Sequence, residues 1–405
     1  MSISQLAREV KESPTLKLNE AARLLKERGE PVIHLGAGEP KSKVPIDAVL
    51  ASAAKLTSAE IRYTPTEGIP SLIKAIIRYT EENYNKVVGP RNVIAFSGAK
   101  QAFYNLMMTI VNPQDEVIIV APYWVSYPEI VRMVYGVPVI VTPESGRFEP
   151  TMADITQQVS SYTKAIVINS PNNPSGAVYS EDFIGEIVQY CEKKGIYLIM
   201  DDIYHKLVFS DGKWTPCYKY AKDQSENSRL IVVNGVSKSY AMTGFRIGWT
   251  VANQNITAAM INISAQNTSC PSVVAQAAAA GALMGVQSSV ESLRLTLENN
   301  AKVMVNELRA FNGVVIDPPK GTFYCLPDFR AYQKDSVKLS KFLLDVARVV
   351  SVPGKEFGLE GRLRLSFCGT IKEIKEGVAR IKWALDPESP NEIYIGDRKM
   401  RRDWK

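Results

Sequence analysis

Short runs of continuously apolar residues alternate with longer, helix-like stretches between residues 92 and 235. A strand that is apolar on both faces is typical of a mainly parallel sheet, because the helical crossovers between parallel strands cover both faces of the sheet. This alternation predicts an α/β fold with a mainly parallel central sheet sandwiched by helices. The runs are NVIAFSG (92–98), DEVIIVAP (115–122), PVIVTP (138–143), KAIVINSP (164–171), IYLIMDD (196–202) and LIVVNG (230–235).

The chain of 405 residues is longer than one ordinary hydrophobic core supports, so we expect two domains. After a long helical pattern (290–311) the sequence pattern changes to short strand-like segments. Segments such as RLRLSFCG (362–369) indicate a smaller α+β domain. We predict a large domain over residues 46–296. The small domain would combine the N-terminal residues 1–45, which include a helical pattern that stops at Gly29, with residues 297–405.

Charge and hydropathy exclude several classes of function. A net charge of +6 is modest for this length, and the basic residues are scattered except in RKMRRDWK (398–405), which we expect to be a solvated tail. Nucleic-acid binding is therefore not expected. The N-terminus has no apolar signal core and no apolar run is long enough to cross a bilayer, so we expect a cytoplasmic protein that does not bind membranes.

Cysteine and histidine usage narrows the chemistry further. The five cysteines are far apart and include no CxxC pair, which supports neither a zinc ribbon nor a disulfide framework and favours a reducing compartment. His34 and His205 are the two histidines of the chain. We therefore expect no bound metal ion.

Polar residues follow the apolar runs rather than interrupting them. Ligands of open α/β sheets bind beyond the carboxyl ends of the strands, so these polar segments should converge on one crevice. The segments are SGAK (97–100), APYW (121–124), SPNNPSG (170–176), DDIY (201–204) and NGVSK (234–238).

Each candidate residue also has a simpler structural interpretation when it is taken alone. Lys238 could be a surface-loop lysine, and Asp201 could cap the next helix. SPNNPSG (170–176) could be a turn, and Arg364 could lie on the solvent face of a strand. The pattern GAGEPK (36–41) begins like a dinucleotide fingerprint, but it lacks the third glycine.

The combination of these pieces indicates one chemistry. A desolvated lysine has a reactive amine suited to a Schiff base, and an aspartate partner favours a protonated pyridine nitrogen. The chain resembles the class I aminotransferases of fold type I, in particular the bacterial and plastid branch of aspartate aminotransferases, which includes members that act on prephenate. The resemblance runs from the SPT stretch (13–15) to Phe367. The motifs that carry it are APYWVSYPE (121–129), SPNNPSGAVY (170–179) and NGVSKSYAMTGFRIGW (234–249).

The resemblance implies pyridoxal 5'-phosphate as the cofactor and a catalytic role for three residues. Lys238 would hold the cofactor as a Schiff base and move the proton of the substrate Cα. Asp201 would pair with the pyridinium nitrogen, and Tyr204 would hydrogen-bond the phenolic oxygen. The other implied cofactor-binding residues are Gly98, Ala99, Lys100, Trp124, Asn173, Ser237 and Arg246, with Tyr63 reaching the phosphate in a second subunit.

The same resemblance implies the substrate contacts. Arg364 would clamp the α-carboxylate of the substrate. Lys100 and Lys11 would reach the second carboxylate of a dicarboxylic substrate. The remaining implied substrate-binding residues are Gly38, Trp124 and Asn173.

We expect a homodimer that converts L-aspartate and 2-oxoglutarate into oxaloacetate and L-glutamate. Lys41 and Lys43 stand where acidic and aromatic residues are usual, which leaves the substrate range open. One alternative is an aminotransferase for prephenate or for aromatic or neutral amino acids. Others are a pyridoxal phosphate-dependent C–S lyase, and a regulator that uses an aminotransferase domain to sense the cofactor.

Overall fold

The computed structural model of the protein describes residues 3–10, 14–144, 147–221, 227–396 and 398–402. Its strands are β1 (Ile33–His34), β2 (Val93–Phe96), β3 (Glu116–Val120), β4 (Val137–Val141), β5 (Thr163–Asn169), β6 (Tyr197–Asp201), β7 (Leu230–Gly235), β8 (Gly248–Val251), β9 (Tyr324–Cys325), β10 (Val349–Val350), β11 (Val352–Pro353), β12 (Leu363–Ser366), β13 (Glu392–Ile395) and β14 (Arg398–Arg401). Its helices are α1 (Gln5–Glu9), α2 (Pro14–Glu27), α3 (Ile46–Thr57), α4 (Pro70–Tyr84), α5 (Ala99–Ile110), α6 (Ser126–Met133), α7 (Met152–Thr156), α8 (Glu181–Lys194), α9 (Gln254–Asn267), α10 (Val273–Met284), α11 (Ser288–Arg309), α12 (Ser336–Phe342) and α13 (Ile371–Leu385).

Seven strands form the central sheet, in the order β2-β8-β7-β6-β5-β3-β4. The six apolar runs of the sequence form β2 to β7, and the pairs among β3 to β7 are all parallel. Strand β8 is antiparallel to both of its neighbours, β2 and β7. The sequence analysis does not predict β8, because its first two residues belong to the motif NGVSKSYAMTGFRIGW (234–249), which is assigned to cofactor binding. The mainly parallel sheet is confirmed.

Both faces of this sheet are buried, and successive residues of each strand enter different cores. In β3, Ile118 packs on the side of α4, α8 and α10, whereas Val117 packs on the side of α5, α6 and α9. In β6, Leu198 and Ile199 divide between the same two cores. Alternation across a sheet that is covered on both sides explains why the runs are continuously apolar in sequence.

A further core, which we call the second core, lies beyond the carboxyl ends of the central strands. It is built on the antiparallel sheet β11-β12-β9 and on α11, α12 and α13. Tyr204 and Leu207, which follow β6, also belong to it. Helix α11 continues through residue 296, where we place the end of the large domain, and that division stays a prediction.

The C-terminal segment forms a hairpin of β13 and β14. Met400 packs into the second core, and the guanidinium of Arg402, which is 8% exposed, donates to backbone carbonyls at the end of α13, including those of Trp383 and Pro387 at 3.2 and 2.9 Å. The expected solvated tail is therefore wrong for Met400 and Arg402, which are buried, whereas Arg398, Lys399 and Arg401 are exposed as expected. Arg402 is buried because it satisfies carbonyls near the end of the helix. Residues 403–405 lie outside the described part.

No single helix within the described ranges is long and apolar enough to cross a membrane. By length and composition, α10 and α11 meet that test together as a pair bent by 80°.

Candidate active site

A cavity of about 720 Å³ lies at the carboxyl ends of the central strands, between the sheet and the second core. The structure brings most of the predicted site residues to its wall. They are Gly38, Ala99, Lys100, Trp124, Asn173, Asp201, Tyr204, Ser237, Lys238, Arg246 and Arg364. The convergence expected from the strand ends is therefore observed.

Asp201 is the last residue of β6, and its side chain faces this cavity. Tyr127 donates a hydrogen bond to its Oδ2, and the backbone N–H of Ile203 donates to Oδ1 at 3.3 Å. Burial raises the pKa of Asp201 to about 6, although the Tyr127 hydrogen bond and the positive charge of Lys238 oppose the shift. The carboxyl group therefore favours a cationic partner, which would return its pKa to the usual range.

Lys238 enters the cavity from the loop after β7. Its Nζ donates to the carbonyl of Gly38 at 2.6 Å and lies 5.8 Å from the ring centroid of Phe323. Burial, reinforced by the positive charge of Arg364, lowers the pKa of Lys238 to about 8. A lysine with a lowered pKa holds an appreciable fraction of free amine near neutral pH, which is the form that reacts with carbonyl groups.

Arg364 lies on β12 with 3% of its surface exposed, so its interpretation as a solvent-facing strand residue is wrong. The guanidinium donates from Nη1 to Asn173 Oδ1 and from Nη2 to the carbonyl of Gly36, both at 3.1 Å. Its Nε is buried without a hydrogen-bond partner, and no carboxylate of the described residues forms an ion pair with it. A buried cation without a counter-charge is costly, so the site is suited to a carboxylate ligand.

Arg364 also stacks on aromatic rings. Its Cζ lies 4.2 Å from the ring centroid of Tyr324 and 5.0 Å from that of Phe357. Since a planar guanidinium held between rings and hydrogen bonds has little freedom, it presents a defined direction to the ligand.

The start of α5 forms an anion-binding end of the cavity. Gly98 precedes the helix with φ of 92°, and a Cβ at this position would stand 2.4 Å from Nη2 of Arg246. A Cβ on Gly248 would stand 2.3 Å from the backbone nitrogen of Ala99. The two glycines therefore let a guanidinium and a strand approach the first amides of α5, where backbone N–H groups and the helix dipole favour a phosphate.

The remaining predicted residues line the space between these two ends. Asn173 is held by its backbone N–H, which donates to Asn169 Oδ1 at 2.8 Å. The rings of Trp124 and Tyr127 pack edge to face with their centroids 5.2 Å apart. The Nζ of Lys100 lies 5.0 Å from the Trp124 ring centroid. Burial and the nearby charge of Arg246 lower the pKa of Lys100.

The charges that line the cavity are mainly positive. The acidic side chains among them are Asp201 and Glu39, and Glu39 accepts a hydrogen bond from Thr243 at 2.7 Å. Such a wall is suited to ligands with several negative charges. The basic side chains are Arg23, Lys26, Lys41, Lys100, Lys238, Arg246 and Arg364.

Comparison with known proteins decides the family. The model of the family described as aminotransferase class I and II matches residues 30–381. The chain belongs to this family. A probable aspartate/prephenate aminotransferase of Aquifex aeolicus is 37% identical over 383 residues, which cover 93% of this chain and 97% of that protein. An aspartate aminotransferase of Streptomyces avermitilis is 36% identical, with 93% of this chain and 94% of that protein covered.

Solved structures support the same assignment. The aspartate aminotransferase of Thermotoga maritima superposes with a TM-score of 0.88 at 34% identity, covering 94% of this chain and 99% of its own. The aspartate aminotransferase of Thermus thermophilus with maleate superposes with a TM-score of 0.90 at 33% identity, covering 94% of this chain and 99% of its own. The predicted fold type I is confirmed, and this chain is an aminotransferase.

One predicted site residue of this aminotransferase lies away from the cavity wall, one falls outside the described residues, and a third lies at the edge of the cavity. Tyr63 is 92% exposed and does not line the cavity. Lys11 lies outside the described residues. Gly98 is not part of the cavity wall, although it contacts Arg246 there. Tyr63 therefore does not line the cavity of its own chain, and the predicted role of Lys11 stays a prediction.

The sequence analysis missed several residues of the aminotransferase site. Tyr127 follows Trp124 by three positions, a helical spacing that could have placed both side chains on one face. Asn169 pairs in register with Asp201 and donates to its carbonyl at 2.8 Å, a contact that needs the strand order. The other missed wall residues include Asn19, Arg23 and Lys26 of α2, together with His34, Glu39 and Tyr324.

Proposed function

We propose that this aminotransferase uses pyridoxal 5'-phosphate, held by Lys238 as a Schiff base, to exchange amino groups between L-aspartate and 2-oxoglutarate. The observation that carries the proposal is the unpaired, buried guanidinium of Arg364 in the same cavity as Lys238 and Asp201. A carboxylate receptor, a reactive amine and a buried carboxyl group are the three groups that this reaction requires.

The residues fit the cofactor. The glycine-lined approach at Gly98, with Arg246 beside it, is suited to the phosphate, and Ser237 lines the same wall. Asp201, whose pKa burial raises, is suited to a protonated ring nitrogen, because the pair stabilises both charges. Tyr204 and Asn173 would hydrogen-bond the phenolic oxygen, and Trp124 would stack on the ring. When bound, the cofactor supplies the electron sink for the electron pair left at the substrate Cα.

The chain's own residues then orient the substrate and move its proton. Arg364 binds the α-carboxylate through two parallel N–H donors, and this fixes the orientation of the Cα–H bond. Lys238 Nζ, once free as an amine, would take the proton from the substrate Cα and deliver it to C4′ of the cofactor. Its lowered pKa of about 8 keeps this amine available near neutral pH.

The preference for dicarboxylic substrates rests on charge. Lys100 lines the cavity next to Trp124 and can meet the second carboxylate, and Lys11 is proposed to assist it. The relatives from Aquifex aeolicus and Streptomyces avermitilis carry aspartate in their names, and the former also carries prephenate. We therefore extend the proposal to a substrate range that includes prephenate.

We further propose a homodimer in which Tyr63 contacts the phosphate in the partner's site. Its exposed ring is free to do so, and α3 presents exposed apolar side chains nearby in sequence. Several exposed apolar side chains on one helix are typical of an association interface. These side chains are Ile46, Val49, Leu50 and Leu56. Mixing inactive Tyr63 and Lys238 variants should restore some activity, and no recovery after verified subunit exchange would contradict shared sites.

The proposed reaction is tested by initial rates with a panel of amino donors against 2-oxoglutarate. Aspartate should be the best donor, and Lys238→Ala should abolish turnover while the fold is kept. Lys193→Ala is the matched control, since Lys193 is exposed on α8 and outside the cavity wall. A clear preference for neutral or aromatic donors would contradict the aspartate proposal, and turnover by Lys238→Ala would contradict the mechanism.

A further inference from the structure

A second aspartate follows Asp201 directly, at the end of β6. Asp202 has no exposed surface, and its backbone N–H donates to the carbonyl of Val233 at 3.0 Å. Side chains alternate across a strand, so Asp202 projects away from the cavity that Asp201 faces. Two carboxyl groups thus lie back to back at the strand that meets the cofactor site.

The hydrogen bonds of Asp202 satisfy only part of its carboxyl group. The hydroxyl of Tyr84 donates to Oδ2 at 3.1 Å, and the Trp214 side chain also hydrogen-bonds the carboxyl group. The other oxygen, Oδ1, is buried without any hydrogen-bond partner. Across the described ranges, no lysine or arginine forms an ion pair with Asp202. Nothing therefore compensates a negative charge on Oδ1.

Among the described residues, the side chains that face Asp202 from the neighbouring elements are polar, and none of them is a lysine, arginine or carboxylate. His205 hydrogen-bonds the carbonyl of Asp202 through Nδ1 at 2.7 Å, and burial lowers the pKa of His205 to about 3. Lys206 is the charged residue next along the chain, and its Nζ lies 5.6 Å from the ring centroid of Tyr79 on α4. The other titratable or polar groups that face Asp202 are Tyr79 and Tyr84 from α4, Cys217 and Tyr218 after β6, and Asn234 from β7.

A carboxylate in this position would be costly. It has no exposed surface and no ion-pair partner, and one oxygen lacks a hydrogen bond. The hydrogen bonds of Tyr84 and Trp214 therefore compensate only part of the hydration that ionisation loses. The charge of Asp201 on the adjacent residue opposes a second negative charge. A neutral carboxyl group lowers both costs, since it carries no charge and its oxygen Oδ2 still accepts the hydrogen bond of Tyr84.

We propose that Asp202 is a positioning residue that keeps a proton at neutral pH, so that Asp201 is the one negative charge behind the cofactor nitrogen. Loss of this proton at higher pH places a second charge on the strand and strengthens the hold of Asp201 on a cationic partner. Burial, with the charge of Asp201 added, raises the pKa of Asp202 to about 8. The part that concerns the cofactor nitrogen rests on the proposed function, whereas the stored proton does not.

The stored proton is tested on the cofactor-free protein, through the free energy of unfolding as a function of pH. A carboxyl group that is neutral when folded and titrates near pH 3.9 when unfolded makes the folded state bind more protons, so it lowers stability as pH rises from about 4 to about 8. Asp202→Asn, an uncharged mimic, should remove part of this decline. Asp211→Asn, at an exposed position in the following loop, is the matched control and should keep it. An unchanged decline in Asp202→Asn would overturn the proposal.

A second measurement uses the enzyme loaded with pyridoxal 5'-phosphate. Asp202→Asn should retain turnover at pH 7 within about twofold, and the pH titration of its visible band should lose a component between about pH 7 and 9 that the wild type shows. A loss beyond tenfold at pH 7 would show that the charge is required and would overturn the proposal. If the loaded protein shows no transamination at all, the proposed function fails while the unfolding measurement still decides whether Asp202 stores a proton.

Tyr84→Phe provides a second variant should Asp202→Asn fail to fold. It removes the donor to Oδ2, which favours the ionised form, so the pKa of Asp202 should rise further. The decline in unfolding free energy should then extend to higher pH than in the wild type. A decline that ends at the same pH or lower would contradict the proposal.

Discussion

The two sides of the cavity are built in different ways. The side proposed to bind the cofactor, which we call the cofactor side, consists of strand ends and one helix start. Asp201 ends a buried apolar strand there, and Lys238 and Ala99 each follow one. The substrate side is assembled from remote segments, since Arg364 hydrogen-bonds Gly36 and Asn173 across 328 and 191 residues. The cofactor side is therefore fixed by a rigid sheet, whereas the substrate side depends on how the second core docks on it.

This difference predicts that a change on the cofactor side will affect all substrates, and that a change on the substrate side will discriminate between them. The strongest expected effect is that of Asp201→Ala. Removing one partner of a buried charge pair typically costs about 3–5 kcal/mol, so kcat should fall by roughly two to four orders of magnitude for every donor. Initial rates with saturating aspartate and alanine check it. Activity close to that of the wild type would show that Asp201 does not support the cofactor.

Arg364→Ala should have the next largest effect. The variant loses the receptor for the α-carboxylate, and truncating a hydrogen-bonded charge of this kind costs about 2–5 kcal/mol. We expect kcat/KM to fall for aspartate and alanine alike, because both carry an α-carboxylate. The visible spectrum of the bound cofactor should change far less than the rate, because Arg364 acts on the cofactor side only through Asn173 and through its charge near Lys238. A spectrum that changes as strongly as the rate would place Arg364 on the cofactor side instead.

Lys100→Ala should separate the two sides, because it removes only the contact to the second carboxylate. A charge-assisted hydrogen bond contributes about 1.5–3 kcal/mol, so kcat/KM for aspartate should fall roughly tenfold to a hundredfold, whereas that for alanine should barely change. The ratio of the two constants is the measurement. Equal losses of kcat/KM for both donors would show that Lys100 binds the cofactor phosphate or stabilises the fold instead.

Tyr127→Phe should produce the smallest effect. Its hydroxyl donates to Asp201 and thereby lowers the pKa of that carboxyl group, against burial. Without this donor the pKa of Asp201 should rise by roughly one unit, as expected for one hydrogen bond of about 1 kcal/mol. Cofactor affinity, measured by equilibrium titration, should therefore begin to weaken at a higher pH on acidification than in the wild type. An unchanged pH dependence would show that Tyr127 acts through packing alone.

The cofactor side could be predicted largely from the sequence. A buried parallel strand is continuously apolar, and its carboxyl end must carry whatever binds at the sheet edge. The chain order of Asp201 and Lys238 after such strands therefore indicated the place of the chemistry, and the motifs around them indicated the family. Tyr127 and Asn169 were missed because each acts on Asp201 through a contact from a neighbouring element.

The sequence by itself determined strands β2 to β7, their burial on both faces and the residues at their carboxyl ends, because these depend on local apolar periodicity. Only the tertiary structure decided that Arg364 is buried without a counter-charge and that Asp202 is buried without an ion-pair partner. It also decided that Arg402 is buried against the end of a helix and does not lie in a solvated tail. Charges in a sequence look alike whether they are exposed or buried. Their energies differ because desolvation depends on the segments that pack around them, and those segments are distant in the chain.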